Sequence, residues 1–589
     1  MASKPWCLDV EGVYSLGDLN MMFRNKQTLD YPPIDPRDPS KPFFTGVIRQ
    51  SVTVGEDERR FLAYIPARFP ISGAGLYLCP DDGVSCEACL EDGWRELADE
   101  TNVALIILEA REGGWSQEDI QSEVSYCEEV FKSSISRVYF SLNEATYYIC
   151  GLGTGAYVAA AHGLLSSTLF SCILADGDYH LDSRLLDQLG TILSDRDPLA
   201  SKLDVAMPAW LVDRGGKGEG DVLKCLLRAN MTDPEPLAAS IADIYRQDLR
   251  KTQGSLDGLP MTEVCFTPAK TAANISPAEL HRSMLHFALR FKRWLSVGNG
   301  CFRPARTAED MRLTRYEMED AGLTREYFVY EPSIHRRCPE KKLPLLLAIH
   351  GYACTGTLFA ENCEWHTIGE RRDLWVVYVS AWPSNLSFGG RTVPLPTWNA
   401  VGMPSGTDDV SFIARVLDEV KERYPVDEER IYVSGHSNGS LMTQTLMARM
   451  PLTFAAFAPQ GAQFHMSLDA SEEAAKRDIP DDGILRPVWL MMGSDDIGDK
   501  DRIEPGNAND RFIDMMCRLN GLDRGKESFL VNGKYHTHTW CDEAGRPLLR
   551  FTGIQDTPHT FTPEMAQIYW DQFLCHFRRL SDGSVVYTV

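Results

Sequence analysis

The sequence predicts two tandem α/β domains, each a mostly parallel, doubly wound sheet flanked by helices. Three observations carry this expectation. At 589 residues the chain is too long for one ordinary core. Short, nearly continuous apolar runs alternate with stretches whose apolar residues recur at three- and four-residue spacing, as buried parallel strands alternate with helices. Finally, segments of the first half reappear, in the same order, in the second half.

The elements follow along the chain. Residues 1–45 read as an irregular arm closing on the proline-rich "LDYPPIDPRDPSKPFF". A first domain is expected over 46–300 and a second over 301–589, with the linker inside "SVGNGCFRPARTAED" (296–310). "RRFLAYIP" (59–66) is echoed by "REYFVYEP" (325–332), and "YYICGLGTG" (147–155) by "IYVSGHSNG" (431–439). "ISPAELHRSMLHFALRFKRWL" (275–295) is echoed by "FTPEMAQIYWDQFLCHFRRL" (561–580). The offsets grow from 266 to 286 residues in small steps, as loop insertions would make them, so a domain duplication is read here. In the second copy "LPLLLAIHG", "DLWVVYVSA", "ERIYVSG" and "RPVWLMMG" read as strands, and "DDVSFIARVLDEVKERYP" as a helix.

Composition excludes several function classes. A formal charge of −24, from 83 acidic against 59 basic residues, repels a phosphate backbone, so no nucleic-acid partner is expected. No segment reaches the ~18 apolar residues that span a bilayer, so no membrane partner is expected. The opening residues lack the basic start and apolar run of an export signal, and the expected compartment is the cytoplasm. The 16 cysteines are scattered without a disulfide framework and read as reduced thiols. "CEAC" (Cys86 and Cys89) has no second pair nearby, and no metal site is expected there.

The chemistry concentrates in "IYVSGHSNGSLM". An apolar strand ends at Ser434, the chain turns sharply through Gly435-His436-Ser437-Asn438-Gly439, and a helix-like run begins. The flanking glycines relieve crowding in a strained turn, which presents Ser437 at a helix N-terminus beside outward-facing backbone N–H groups. A nucleophilic serine needs a base and a group to orient that base. "GSDDIGD", after the strand "RPVWLMM", offers Asp495 and Asp496; "DTPHTFTPE" offers His559 just before a helix. His536 and His538 in "KYHTHTW" are the competitors, two apart in an apparent strand. Donors for a developing oxyanion are expected from the backbone N–H of Tyr352, in the loop after "LLLAIHG", and of Asn438. No cofactor is required.

Residues 320–580 resemble the α/β-hydrolase esterases grouped with polyhydroxybutyrate depolymerases and feruloyl esterases. The resemblance rests on "LLLAIHGY", "GSDD", "PHTFTPE" and, most specifically, the block from Asp408 to Met442. It implies an α/β-hydrolase fold for each copy. It also implies a catalytic triad of Ser437, Asp496 and His559, with Asp496 favoured over Asp495. The activity implied is hydrolysis, through an acyl-enzyme, of short hydroxyacyl, feruloyl-type or acyl-sugar esters. The alternatives are a serine peptidase or amidase of the same fold, and a non-enzymatic scaffold. Trp398, in the Gly/Pro/Ser-rich stretch 380–409 with Trp382 and Phe388, is the candidate to stack on an aromatic acyl group or a sugar.

The first copy lacks this equipment. Gly153 replaces the serine, Thr154 is displaced by one residue, the His-Gly pair becomes Pro80-Asp81, and Ala273 stands for the histidine. The acid position falls near Lys217, with Asp213 close by. The first copy is expected to be catalytically silent. Covering its neighbour, shaping a cleft and forming a homo-oligomer interface remain open as its role.

Overall fold

The computed structural model describes residues 45–588 apart from 71–72, 135–141, 193–200, 253–259, 294–301, 389–390, 401–404, 465–478, 480 and 497–500. The expected N-terminal arm lies outside the described residues but for its last one. The chain divides into two compact units, one running to Ala305 and the other from Arg306 onward, residues 387–393 excepted.

Among the described residues the main sheet of the first unit has ten strands. These are β1 (Gly46–Val54), β2 (Asp57–Ile65), β3 (Gly73–Cys79), β4 (Ala104–Leu108) and β5 (Leu142–Gly153). They continue as β6 (Cys172–Gly177), β7 (Ala209–Val212), β8 (Leu237–Ala238), β9 (Asp243–Arg246) and β10 (Glu263–Thr267). Their order across the sheet is β1-β2-β4-β3-β5-β6-β7-β10-β9-β8. From β4 to β10 the neighbours are parallel, and antiparallel pairs close both edges.

The second unit has β11 (Leu313–Asp320), β12 (Leu323–Tyr330), β13 (Leu343–Ile349), β14 (Trp375–Val379) and β15 (Val426–His436). After them come β16 (Ala456–Gln460), β17 (Val488–Asp495), β18 (Glu527–Asn532), β19 (Tyr535–Trp540) and β20 (Leu549–Pro558). The order is β11-β12-β14-β13-β15-β16-β17-β20-β19-β18, the sequence of the first sheet with ten added to each number.

The strand chemistry explains this layering. Alternate residues of β13 enter different cores: Leu345, Leu347 and Ile349 pack on one face, Leu346 and Ala348 on the other. A strand covered on both faces must be apolar throughout, which is why "LPLLLAI" shows no alternation. Two anchoring hydrogen bonds recur at matching places. Tyr148 Oη donates to Phe291 O at 2.9 Å and Tyr432 Oη to Phe577 O at 2.7 Å. Trp210 Nε1 donates to Thr267 Oγ1 at 2.9 Å and Trp489 Nε1 to Thr552 Oγ1 at 2.8 Å. Both units also carry a helix directly after their fifth strand: α1 (Gly155–Leu165) and α3 (Asn438–Arg449). The closing helices are α2 (Pro277–Ala288), capped by Ser276, and α4 (Pro563–Gln572), capped by Thr562.

Cys86 and Cys89 are buried in a one-turn helix, where burial pushes the Cys89 thiol up to about 12 and leaves no reactive thiolate. Among the described residues no helix is long and apolar enough to cross a membrane.

Candidate active site

Ser437 is the single residue between β15 and α3. Its backbone sits at φ 57°, ψ −118°, a conformation that L-residues rarely adopt and that costs of order 1–3 kcal/mol. Close packing on both sides holds it there. A Cβ on Gly435 would come within 2.1 Å of Gly439 O, and one on Gly439 within 2.2 Å of Ile349 O. The two glycines of the pentapeptide are therefore required by backbone contact. Ser437 N donates to Gln460 O at 2.9 Å, tying the tip to the end of β16.

The two aspartates left open by the residue pattern have different surroundings. Asp496, 4% exposed and just past the end of β17, accepts from His559 Nδ1 at 2.5 Å. Asp495 is exposed. His559 lies between β20 and α4 and is half-buried. His536 and His538 stand on β19, and His538 pairs with Glu527 at 3.2 Å. Ser437, Asp496 and His559 thus all lie at the C-terminal ends of parallel strands, the edge where sites form in doubly wound sheets.

The loop after β13 faces the elbow: a Cβ on Gly351 would lie 3.2 Å from Ser437 Cβ. His350 anchors this loop. Its Nε2 accepts from Ala381 N at 2.9 Å, and its Nδ1 donates to Gly351 O at 2.6 Å. Burial pushes its pKa down to about 4, so the ring is neutral. Tyr352 follows, half-buried, and Ala353 N donates to Pro396 O at 3.0 Å. Asn438, the first residue of α3, has a backbone N–H outside the helix's own ladder.

Trp398 departs from the stacking role expected of it. It is fully buried, so no ring face is open to a substrate. Its Nε1 instead donates to His350 O at 2.9 Å. Its backbone is clamped by the Asn438 amide, Trp398 N to Oδ1 at 2.7 Å and Nδ2 to Trp398 O at 3.2 Å. Sequence reasoning assigned Asn438 only a backbone role and so missed its side chain. Beneath, the buried Arg325–Asp409 pair at 2.6 Å supports the same stretch, with Asn399 N donating to Asp409 at 2.6 Å. Trp382 is nearly buried, and the side chain of Phe388 lies outside the described residues.

The first unit keeps the turn and changes its contents. Cys79 pairs with Gly151 as Ile349 pairs with Gly435, so Pro80 and Asp81 stand where His350 and Gly351 stand. Trp115 Nε1 donates to Pro80 O at 2.7 Å, the counterpart of the Trp398–His350 bond. Gly153 has φ 55°, close to that of Ser437. A Cβ there would lie 2.1 Å from Asp81 Cγ, because the Asp81 carboxylate occupies the space. Asp81 accepts from Thr154 N and Thr154 Oγ1 at 2.8 Å and from Asp82 N at 3.0 Å. Partial burial alone would raise its pKa, but these donors outweigh it and hold the carboxylate below its usual range. Lys217 pairs with Asp178 at 2.9 Å, and the buried Asp213 accepts from the N–H groups of Lys217 and Gly218. Ala273 caps a short helix.

Residues 399–481, which include the Ser437 elbow, match the prolyl oligopeptidase family. A bifunctional acetylxylan esterase/xylanase of Neocallimastix patriciarum is 31% identical over 140 residues, covering 24% of this chain and 18% of that protein. Poly(3-hydroxyalkanoate) depolymerase C of Paucimonas lemoignei is 33% identical over 118 residues, covering 20% of this chain and 27% of that protein. The chain therefore spans less than a third of either relative's length. The solved acetyl xylan esterase from Aspergillus awamori is 17% identical, covering 42% of this chain and 94% of that chain with a TM-score of 0.31. By its sheet order and its elbow the second unit is an α/β-hydrolase fold, and the chain is similar to ester hydrolases of the acetylxylan esterase and poly(3-hydroxyalkanoate) depolymerase kind.

Proposed function

We propose that the second unit is a serine carboxylic-ester hydrolase and that the first unit is catalytically silent. The observation that carries this reading is the 2.5 Å His559–Asp496 bond at the sheet edge that also holds the strained Ser437. In the proposed cycle, Ser437 Oγ attacks the ester carbonyl while His559 Nε2 takes the hydroxyl proton. Asp496 fixes the tautomer, with the proton on Nδ1, and stabilises the imidazolium. The N–H groups of Asn438 and Tyr352 receive the oxyanion. His559 returns its proton to the leaving alcohol, and water then releases the acid from the acyl-enzyme by the same sequence. Neither metal nor cofactor takes part.

Short hydroxyacyl, feruloyl-type and acyl-sugar esters are the proposed substrates, on the strength of the relatives. A fluorophosphonate probe should label the full chain once, and Ser437→Ala should abolish the label. Initial rates on hydroxybutyrate oligomers, feruloyl esters and acetylated sugars then rank the substrates. The prolyl oligopeptidase match favours a second reading, peptide or amide cleavage with the same residues. Faster turnover of amides than of matched esters would select it.

A further inference from the structure

His436 precedes the nucleophile, and its ring lies against that of His559, centroids 4.6 Å apart with 38° between planes. Gly461, at φ 77°, lies alongside both rings. A Cβ there would approach His559 Cε1 to 3.2 Å and His436 Cδ2 to 3.3 Å, so the absence of a side chain lets the two imidazoles meet. Phe561, 6.4 Å from His436, adds an uncharged wall. His436 Nε2 is buried with no hydrogen-bond partner among the described residues, so no protein hydrogen bond at that atom accounts for an imidazole here.

The first unit supplies an internal control. Its elbow carries Leu152 at the matching place, pairing with Asp176 as His436 pairs with Gln460. The same turn therefore forms around an aliphatic side chain, and folding does not require the imidazole.

We propose that His436 is a positioning residue: its tilted ring packs against that of His559, holds His559 in place for its bond to Asp496, and sets an aromatic ring beside the imidazolium formed during turnover. The inference rests on the ester-hydrolase reading for its kinetic consequence. A cation near an aromatic ring is stabilised by the ring's quadrupole, so the imidazolium that turnover forms on His559 gains a favourable neighbour in His436. The contact works only while His436 is uncharged, and burial, with the neighbouring His559, pushes its pKa well below the usual value. Asp496 is the charged group bonded to His559, and Gly351, Gly461 and Phe561, which lie against His436, carry no charge.

The test uses the full chain as wild type, His436→Leu and His436→Phe. It measures kcat and KM for p-nitrophenyl acetate against pH, together with the NMR titration of the His559 ring. Leucine, the first unit's own choice, should lower kcat about 5- to 20-fold with little change in KM, and move the acid limb and the His559 titration to lower pH. Phenylalanine should restore most of the rate and the wild-type titration. A His436→Leu protein with wild-type kcat and titration overturns the proposal, as does a His436→Phe protein as impaired as the leucine variant. If wild type cleaves no ester while the His559 titration shifts in the leucine variant alone, the hydrolase reading falls and the positioning role stands.

Discussion

The two elbows of this chain share a backbone and differ in what fills it. Both have a left-handed tip, at Gly153 and Ser437, and both need their flanking glycines because a Cβ would strike main-chain oxygens 2.1–2.3 Å away. In the second unit the loop opposite carries Gly351 and the tip carries a hydroxyl. In the first, the loop carries Asp81 and the tip carries only hydrogen, so side chain and vacancy have changed places. The first unit's carboxylate binds the N–H of Thr154, the counterpart of the Asn438 donor proposed for an oxyanion. A turn of this shape is an anion-binding element, and the residue opposite decides whether the anion is built in or arrives with a substrate.

The comparison breaks most sharply at the nucleophile. Ser437→Ala should lower ester turnover about 10³-fold or more, with His559→Ala nearly as damaging. Asp496→Asn should cost about 10²- to 10⁴-fold, whereas Asp495→Asn, His536→Ala and His538→Ala should be mild. Steady-state rates on folded variants check all of these. An Asp495 effect larger than that of Asp496 would refute the acid assignment.

Acid stability should separate the units next. His350 is buried and neutral with a pKa of about 4, whereas an unfolded histidine titrates near 6.5. Between those values the unfolded chain holds more protons, so stability rises with pH across the window and falls as pH drops through it. The loss from pH 7 to pH 4 should be of order 3 kcal/mol. It should be confined to the second unit, since the first has Pro80 there. Hydrogen exchange read unit by unit, with His350→Gln flattening the slope, checks this.

Smaller effects are expected in the first unit. Gly153→Ser should destabilise by about 1–3 kcal/mol, because the new Cβ displaces Asp81 and serine resists the positive φ. Adding Asp81→Gly should recover part of that loss, a coupling visible in a double-mutant cycle of thermal unfolding. Neither variant should take a fluorophosphonate label once Ser437 is alanine. Smallest of all, Trp398→Phe should cost about 1 kcal/mol for one lost hydrogen bond while leaving KM nearly unchanged. A large rise in KM would restore a substrate-contacting role to Trp398.

Much of the fold was legible in the sequence. Fully buried strands such as "LPLLLAI" advertise themselves by losing alternation, and the elbow's glycines sit at fixed spacing for a steric reason. The chain order of Ser437, Asp496 and His559 follows from strand ends succeeding one another along the sheet. What was not legible depended on contacts between distant segments. Trp398 looked available because a glycine-rich loop says nothing of burial, yet its indole faces His350, 48 residues away. Asp81 could be aligned with Gly351, but only the folded chain brings its carboxylate to Gly153, and only the contact between the two rings singles out His436.

Ser437 and Gly153 also set a direction to change. At a positive φ, glycine relaxes the backbone, so Ser437→Gly should raise the second unit's melting temperature even as it removes the nucleophile. The reverse step at Gly153 must both strain the main chain and evict Asp81 from its three donors. Selection for stability alone would therefore move an elbow of this kind toward glycine and keep it there. A serine at such a tip persists only where something other than folding maintains it.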